Sequence, residues 1–95
     1  MDGRGGYRHR TLEFTEVFLE DLASKDFSAA DRRRFLRALR LLDTNERHPS
    51  LRVHELRGPL AGVWSMSASD ELRMTLERMD GGRKLLLTCS RHYQR

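Results

Sequence analysis

The sequence has few of the residues that build covalent or metal-bound cores. Its 95 residues include one cysteine, Cys89, so an intramolecular disulfide and a multi-cysteine metal site are excluded. The neighbours of Cys89 in LLLTCS predict a small buried hydrophobe instead. The chain has no signal peptide and no apolar run of bilayer-spanning length, so we expect a cytoplasmic protein with no membrane partner.

Motifs for metal and cofactor chemistry are also missing. The histidines are widely spaced and accompany no cysteine or acidic cluster, which argues against a metal site. No glycine-rich phosphate loop and no nucleophile elbow occurs. We therefore expect no metal and no small-molecule cofactor. General acid–base chemistry by side chains is the remaining way in which this chain could catalyse a reaction. The four histidines are His9, His48, His54 and His92.

What the chain does have is charge, with 18 Lys/Arg against 14 Asp/Glu residues and a net charge of +4. Residues 1–45 carry nine basic and eight acidic side chains, and residues 46–95 carry nine and six, so the excess lies in the second half. All basic residues except Lys25 and Lys84 are arginine, which suits phosphate because its planar fork donates two parallel hydrogen bonds. An arginine bias also arises from genome base composition, and the sequence leaves both explanations open.

The length suits one domain. With 38% apolar and 34% charged residues, the composition predicts a globular fold with a modest core. Residues 1–6 are rich in Gly and Arg and have almost nothing to bury, so we expect a disordered tail there. Residues 7–95 are expected to form the single domain.

The first half of the chain predicts a short strand in YRHRTLEFT and then a helix in TEVFLEDLASK. Phe14, Phe18 and Leu22 are spaced as one apolar stripe of that helix, with Leu19 alongside. The residues in this stripe are expected to face the core.

A second helix is predicted from Ser28, which can cap its N-terminus with Asp31 three residues on, close to a capping box. The opposite side carries a run of arginines at positions 32–34, which is either a solvated face or a docking surface for nucleic acid or an acidic partner. The predicted buried face consists of Phe35, Leu36, Leu39 and Leu42.

After Asn45 the sequence predicts extended structure. Pro and Gly residues interrupt the chain there, and apolar residues no longer recur at helical spacing. Alternation predicts strands in LRVHEL, GVWSMSAS, LRMTLE and KLLLTCS, the last two joined by a hairpin at Gly81–Gly82. Trp64 and Met66 are expected in the core. The predicted fold class is α+β, with two N-terminal helices packed on a small, mainly antiparallel sheet of four to five strands.

The face of this sheet away from the helices is predicted to be polar and to carry one arginine. Such a face can hold a polyanion, although antiparallel sheets commonly have one wetted face without a ligand. Its expected members are Ser65, Ser67, Arg73, Thr75, Thr88 and Ser90.

His54 is a candidate for acid–base chemistry near neutral pH. It follows the Pro49 turn and is flanked by Arg52 and Arg57, which favour a neutral imidazole that can act as a base and which could also bind phosphate. A capping or partly buried structural role is the alternative for this histidine, as for the others.

His92 is a second acid–base candidate, just past the last predicted strand and beside Arg91 and Tyr93. RNA cleavage needs a base for the 2′-hydroxyl, a proton donor for the leaving oxygen, and cations on the phosphate. His92, Tyr93 and mid-sheet Arg73 can supply these groups without a metal, with Arg91 as a further phosphate ligand.

Two segments carry a resemblance to a known family. HPSLRVHELRGPLAGVWSMSASDELRMTLE, followed by LLLTCSRHY, resembles the RelE/ParE superfamily of type II toxin–antitoxin toxins, nearest to its RelE- and YafQ-like branch. The branch shows segments of the type HPSLRVHKLKG and GLWSFSVSYDLRVIF and ends on GTHDEVY. His54, Arg73 and His92 match its histidine, arginine and final histidine, and Asp70 falls where relatives sometimes use an acid.

The resemblance implies a RelE-like fold and a metal-independent endoribonuclease that cuts messenger RNA on the ribosome. It also implies a cognate antitoxin that wraps the toxin, so the expected partners are antitoxin, messenger RNA and ribosome. Two departures bear on activity. Tyr93 replaces the acid after the final histidine, and Trp64 and Met66 stand where some relatives place lysines or a histidine.

These departures keep two other readings open. One is a ParE-like protein that inhibits a gyrase without cutting RNA, which the loss of the middle-strand lysines favours. The other is a catalytically decayed member that only binds its antitoxin.

Overall fold

The computed structural model describes residues 7–92. The predicted tail at 1–6 and the candidate Tyr93 lie outside the described residues. Five strands and two α-helices follow in the order β1, α1, α2, β2, β3, β4, β5. Their bounds are Leu12–Phe14 (β1), Glu16–Leu22 (α1), Ala29–Thr44 (α2), His54–Glu55 (β2), Val63–Ser67 (β3), Leu72–Arg78 (β4) and Lys84–Arg91 (β5).

The strands form one mixed sheet in the order β1-β5-β4-β3-β2. Strands β2 to β5 make the antiparallel meander that alternation predicts, and the β4–β5 turn places both Gly81 and Gly82 at positive φ. Strand β1 differs, because it pairs in parallel with β5 through Leu12↔Lys84 and Phe14↔Leu86. The α+β class is confirmed, and the sheet is antiparallel except for the β1–β5 pairing. The two helices are N-terminal only in part, because β1 precedes them.

Both helices begin where side-chain caps allow it. Ser28 and Asp31 form the capping box predicted for α2. Helix α1 is capped by Thr15, whose hydroxyl accepts the N–H of Phe18 at 3.0 Å, so it starts later than the apolar spacing suggests. The prediction that Phe14 is helical was therefore wrong, although its ring still lies 5.3 Å from that of Phe18.

The core lies between the helices and one face of the sheet, and two leucines predicted for the helix faces lie outside it. Leu36 is 49% exposed and Leu19 is 51% exposed. Leu36 follows the buried Phe35 by one residue, a step of about 100° around the helix, which turns it away from the sheet. Met66 is fully buried as predicted, whereas Trp64 is only partly buried beneath the Arg78 guanidinium. The fully buried large side chains are Phe18, Phe35, Leu39, Leu42, Leu51, Met66, Leu72, Met74, Leu76 and Leu86.

The connection from α2 to β2 contains a short 3₁₀ helix at Pro49–Leu51. The His48 imidazole caps it, with Nδ1 3.2 Å from the Ser50 N–H and 2.8 Å from the Ser50 hydroxyl. His48 therefore has the structural role left open for each histidine. No helix within residues 7–92 is long and apolar enough to cross a membrane.

Candidate functional site

The sheet face away from the helices carries a row of polar side chains that runs across four strands. The register pairs His54 with Ser65, Ser65 with Thr75, and Thr75 with Thr88. Directly paired residues point to the same side, and the Thr75 and Thr88 hydroxyls lie 2.6 Å apart. The core-facing neighbours Met66 and Met74 alternate with this row, so the predicted division of the sheet into apolar and polar faces is correct here.

A second row, closer to the β3–β4 turn, contains Arg73 between Ser67 and Ser90. Arg73 bends toward the turn, where its Nη1 donates to the carbonyl oxygens of Ser69 at 2.7 Å and Leu72 at 3.3 Å. The carbonyls hold the guanidinium in a fixed place and leave its other nitrogens as donors. Ser67 was expected on an open face, but it is only 6% exposed and contributes to the lining of a cleft.

His54 is exposed on the edge strand β2 and belongs to the first row. Its Nδ1 lies 2.8 Å from the carbonyl oxygen of Arg52. A carbonyl can only accept, so Nδ1 carries the proton and Nε2 is the nitrogen directed to other partners. In the neutral ring, Nε2 then holds a lone pair suited to a base.

His92 is exposed and continues the ladder beyond β5, since its N–H donates to the Glu71 carbonyl oxygen at 2.5 Å. Alternation along the strand sets it on the side of Ser90 and Arg73. With strands about 4.8 Å apart and a rise of about 3.4 Å per residue, the Cα atoms of His54 and Arg73 are about 12 Å apart and those of Arg73 and His92 about 8 Å. Arg73 therefore lies between the two histidines.

The remaining arginines predicted to bind phosphate are placed elsewhere. Arg91 lies on the helix side of the sheet, where it donates to Asp31 at 2.5 Å and to Glu71 at 3.0 Å. The Ser28 backbone N–H, together with Arg91, holds the pKa of Asp31 below its usual value. Arg57 is exposed in the β2–β3 loop, at the opposite end of the sheet from Arg73.

A cleft of about 390 Å³ lies just before the start of β2, beside the β3–β4 turn. Arginines from two segments meet there: Arg34 and Arg37 from α2, and Arg52 from the turn before β2. Three serines are also part of its lining. The full lining is Arg34, Arg37, Ser50, Arg52, Ser67, Ala68, Ser69 and Asp70.

Arg52 adopts the left-handed backbone conformation, with φ of 48°. It is the one residue other than glycine with positive φ among residues 7–92. That conformation costs an arginine about 1 kcal/mol or more and persists only where the surroundings impose it. It turns the Arg52 carbonyl toward His54 while its side chain lines the cleft.

The arginine run at the start of α2 has divided roles. Arg32 is structural, because its Nη1 donates to the carbonyls of Phe27 at 2.7 Å and Ser24 at 3.3 Å. Arg33 is exposed and Arg34 lines the cleft. Sequence reasoning missed the cleft because its walls come from segments more than a dozen residues apart; the i, i+3 spacing of Arg34 and Arg37 was the available signal.

The described part of the chain contains no group of three or more His, Cys, Asp or Glu that could hold a metal ion. The donors on the polar face are instead imidazole, guanidinium and hydroxyl groups. All three groups donate hydrogen bonds to phosphate oxygens, and among them a protonated imidazole is the one that can transfer a proton.

No family model and no curated protein sequence matches the chain. Its structure is similar to a YoeB/ParE toxin from Agrobacterium tumefaciens, with 24% identity over 88% of this chain and 100% of that one and a TM-score of 0.61. It is similar to a chain of the YoeB–YefM complex from Staphylococcus aureus (19% identity, 92% and 100% covered, TM-score 0.68). A chain of the E. coli DinJ–YafQ toxin–antitoxin complex gives 18% identity, 90% and 94% covered, and a TM-score of 0.67.

These likenesses concern the fold, since sequence identity is low while almost the whole of each chain is covered. The chain has the fold of RelE/ParE-type toxins, and the resemblance carried by its second half is confirmed at that level.

Proposed function

We propose that this protein is the toxin of a type II toxin–antitoxin system and cuts messenger RNA on the ribosome without a metal ion. The observation that carries the proposal is the arrangement of His54, Arg73 and His92 on one polar sheet face, with the arginine between the histidines. The fold shared with YoeB and YafQ toxins supports it. The solved complexes of those toxins also support a cognate antitoxin as partner.

The reaction requires a proton acceptor, a proton donor and a cation on the phosphate. By the same strand spacing the Cα of His54 lies about 20 Å from that of His92, so Nε2 of His54 hydrogen-bonds to a neighbouring part of the RNA strand. Water takes the proton of the 2′-hydroxyl as its oxygen attacks phosphorus, and His92 donates a proton to the departing 5′-oxygen. The bond from phosphorus to that oxygen breaks, giving a 2′,3′-cyclic phosphate and a 5′-hydroxyl end. Arg73 stabilises the negative charge that grows on the phosphate oxygens.

The test is to add purified protein to translating ribosomes and map new 5′-ends in the message. His92→Ala and Arg73→Ala should each lower the cleavage rate by about 10²-fold or more, the usual contribution of one acid–base or oxyanion group. His9→Ala is the matched control, because it removes an imidazole that packs against the Tyr7 and Phe14 rings beside β1, outside this row of residues. Unchanged cleavage by both site variants would refute the assignment.

Gyrase inhibition is the competing function, and it is favoured by Trp64 and Met66, which stand on β3 where some relatives have lysines or a histidine. The two hydrogen bonds that the Arg73 guanidinium donates to carbonyls of its own turn also suit a structural arginine, which would weaken the nuclease assignment. A supercoiling assay on the same protein preparation separates the two functions: intact message with inhibited supercoiling would replace the nuclease proposal. If neither activity appears but the protein binds the product of a neighbouring acidic gene, the decayed-toxin reading holds.

A further inference from the structure

We propose that the cleft lined by Arg34, Arg37 and Arg52 is a second phosphate subsite, which binds a backbone phosphate of single-stranded RNA beside the one that is cut. The proposal takes its ligand from the proposed function and adds a binding site outside the row of His54, Arg73 and His92. The cleft lies at the edge of the sheet, where an RNA strand crossing the polar face would leave it.

The charges of the cleft favour a phosphate. Three arginines and one acidic residue, Asp70, line it, and the rest of the lining is three serines and Ala68. Within residues 7–92, neither Arg37 nor Arg52 forms an ion pair, so both keep their donors for a ligand. Arg34 has one loose partner, Asp31, at 3.5 Å. A second depression, beside Cys89, contains Asp21 and Asp26, which would repel a phosphate.

The cleft is built into the backbone rather than formed by surface side chains alone. The Arg52 backbone has the left-handed conformation. Glycine and short polar residues such as asparagine adopt this conformation more readily than arginine does. A glycine or asparagine would be more stable at this position.

Hydrogen bonds connect the cleft to the candidate catalytic groups on both sides. The Arg52 carbonyl accepts from Nδ1 of His54 at 2.8 Å, and the Ser69 carbonyl accepts from Arg73 at 2.7 Å. Arg52 and Ser69 both line the cleft. A phosphate bound in the cleft would therefore lie close to both His54 and Arg73. The phosphate next to the cut one in the same RNA strand must lie in such a position.

Binding of a short single-stranded RNA with 2′-O-methyl groups tests the subsite separately from cleavage, because the blocked 2′-oxygen cannot attack. Arg37→Ala combined with Arg52→Gly should weaken binding about tenfold or more. The slope of log K against log salt should fall by about 0.7, the value for one lost phosphate contact to a single strand. Arg33→Ala combined with Arg8→Ala removes the same charge outside the cleft and should change neither quantity appreciably.

Arg37→Gln combined with Arg52→Asn is the second variant, because asparagine tolerates positive φ and keeps the fold if the first pair disturbs it. Equal losses in the cleft pair and the control pair would overturn the subsite in favour of a diffuse field. Undiminished RNA binding with lost binding of polyglutamate would also overturn it, since the cleft would then serve an acidic protein. Inorganic phosphate should compete with the RNA on the parent chain and not on the cleft variant.

The proposed nuclease can fail without the subsite failing. A chain that leaves messages intact but shows the cleft-specific loss of binding to blocked RNA would keep the subsite and reject the cleavage step. A chain that cuts RNA equally well and binds it equally well with or without Arg37 and Arg52 would keep the nuclease and reject the subsite.

Discussion

At the scale of single residues, the lone cysteine illustrates how position sets chemistry. Burial raises the pKa of the Cys89 thiol to about 12, and the nearby Asp21 carboxylate acts in the same direction. That carboxylate also accepts the Cys89 N–H at 3.0 Å. Because the thiolate is the reactive form, the folded chain should have almost none of it at neutral pH.

We therefore predict that Cys89 in the folded protein resists iodoacetamide at about pH 8, a value near the ordinary thiol pKa. The same chain unfolded in guanidinium should be alkylated at the rate of a free thiol. Mass spectrometry of timed samples measures both rates. Equal rates in the folded and unfolded chain would mean that Cys89 is accessible and contradict its buried placement.

Sequence alternation predicted which face of the sheet several side chains lie on. It did not predict which ion-pair partners the charged side chains have. It set Arg73 and Thr75 on the polar face because side chains alternate along a strand. It did not separate Arg91 from that face, since an ion pair with Asp31, sixty residues away in the chain, depends on how α2 crosses the sheet. Side-chain direction is local information, whereas the partner of a charge is tertiary.

At the scale of elements, helix α2 shows which positions the core uses. Leu39 is 1% exposed and packs against the sheet, whereas Leu36 is 49% exposed on the arginine side. Both are leucines in the middle of one helix, so they share the same propensity term and differ in burial. Comparing them isolates the contribution of packing.

We predict that Leu39→Ala lowers the free energy of unfolding by about 2–5 kcal/mol, because it leaves a cavity in the core. Leu36→Ala should change it by less than about 0.5 kcal/mol, since surface substitutions rarely do more. Urea unfolding followed by circular dichroism measures both. If both variants lose a similar free energy of unfolding, Leu36 must be buried in solution, for example against a second chain.

The element boundaries divide into those with local signals and those without. The start of α2 was predictable because the Ser28 and Asp31 caps are adjacent in sequence. The β4–β5 turn was predictable from Gly81 and Gly82. The parallel pairing of β1 with β5 joins Leu12 to Lys84, and no short-range pattern encodes a contact across so much of the chain.

At the scale of the whole molecule, carboxylates secure both ends of α2. Asp31 at its start binds Arg91 of β5, and Glu46 just after its end binds Arg78 at 2.7 Å and Lys84 at 3.4 Å. Asp43 holds the chain before β1. These contacts fix the helix across the sheet, and they thereby place Arg34 and Arg37 at the cleft edge.

Asp43 is the most heavily bonded of these carboxylates. It accepts from the Tyr7 hydroxyl at 2.7 Å, the Arg10 N–H at 2.8 Å, and the N–H and hydroxyl of Thr11 at 2.8 and 2.5 Å. Burial alone would raise the pKa of Asp43, but the hydrogen bonds from Thr11, Arg10 and Tyr7 outweigh it and hold the pKa well below its usual range. The hydrogen bond that the Tyr7 hydroxyl donates to Asp43 raises the pKa of Tyr7.

Because the pKa of Asp43 is lower in the folded than in the unfolded chain, its contribution to stability is present above the unfolded value of about 3.9 and is lost as the pH falls below it. We predict that Asp43→Asn lowers the free energy of unfolding at neutral pH by about 1–2 kcal/mol, a range reduced for the partial exposure of the site. The difference between the two chains should shrink as the pH falls from about 5 to about 2. Denaturant unfolding at a series of pH values measures it, with Asp26→Asn in an exposed turn as the control. A difference that stays constant over this range would mean that the carboxylate charge of Asp43 does not hold residues 7–11 to α2.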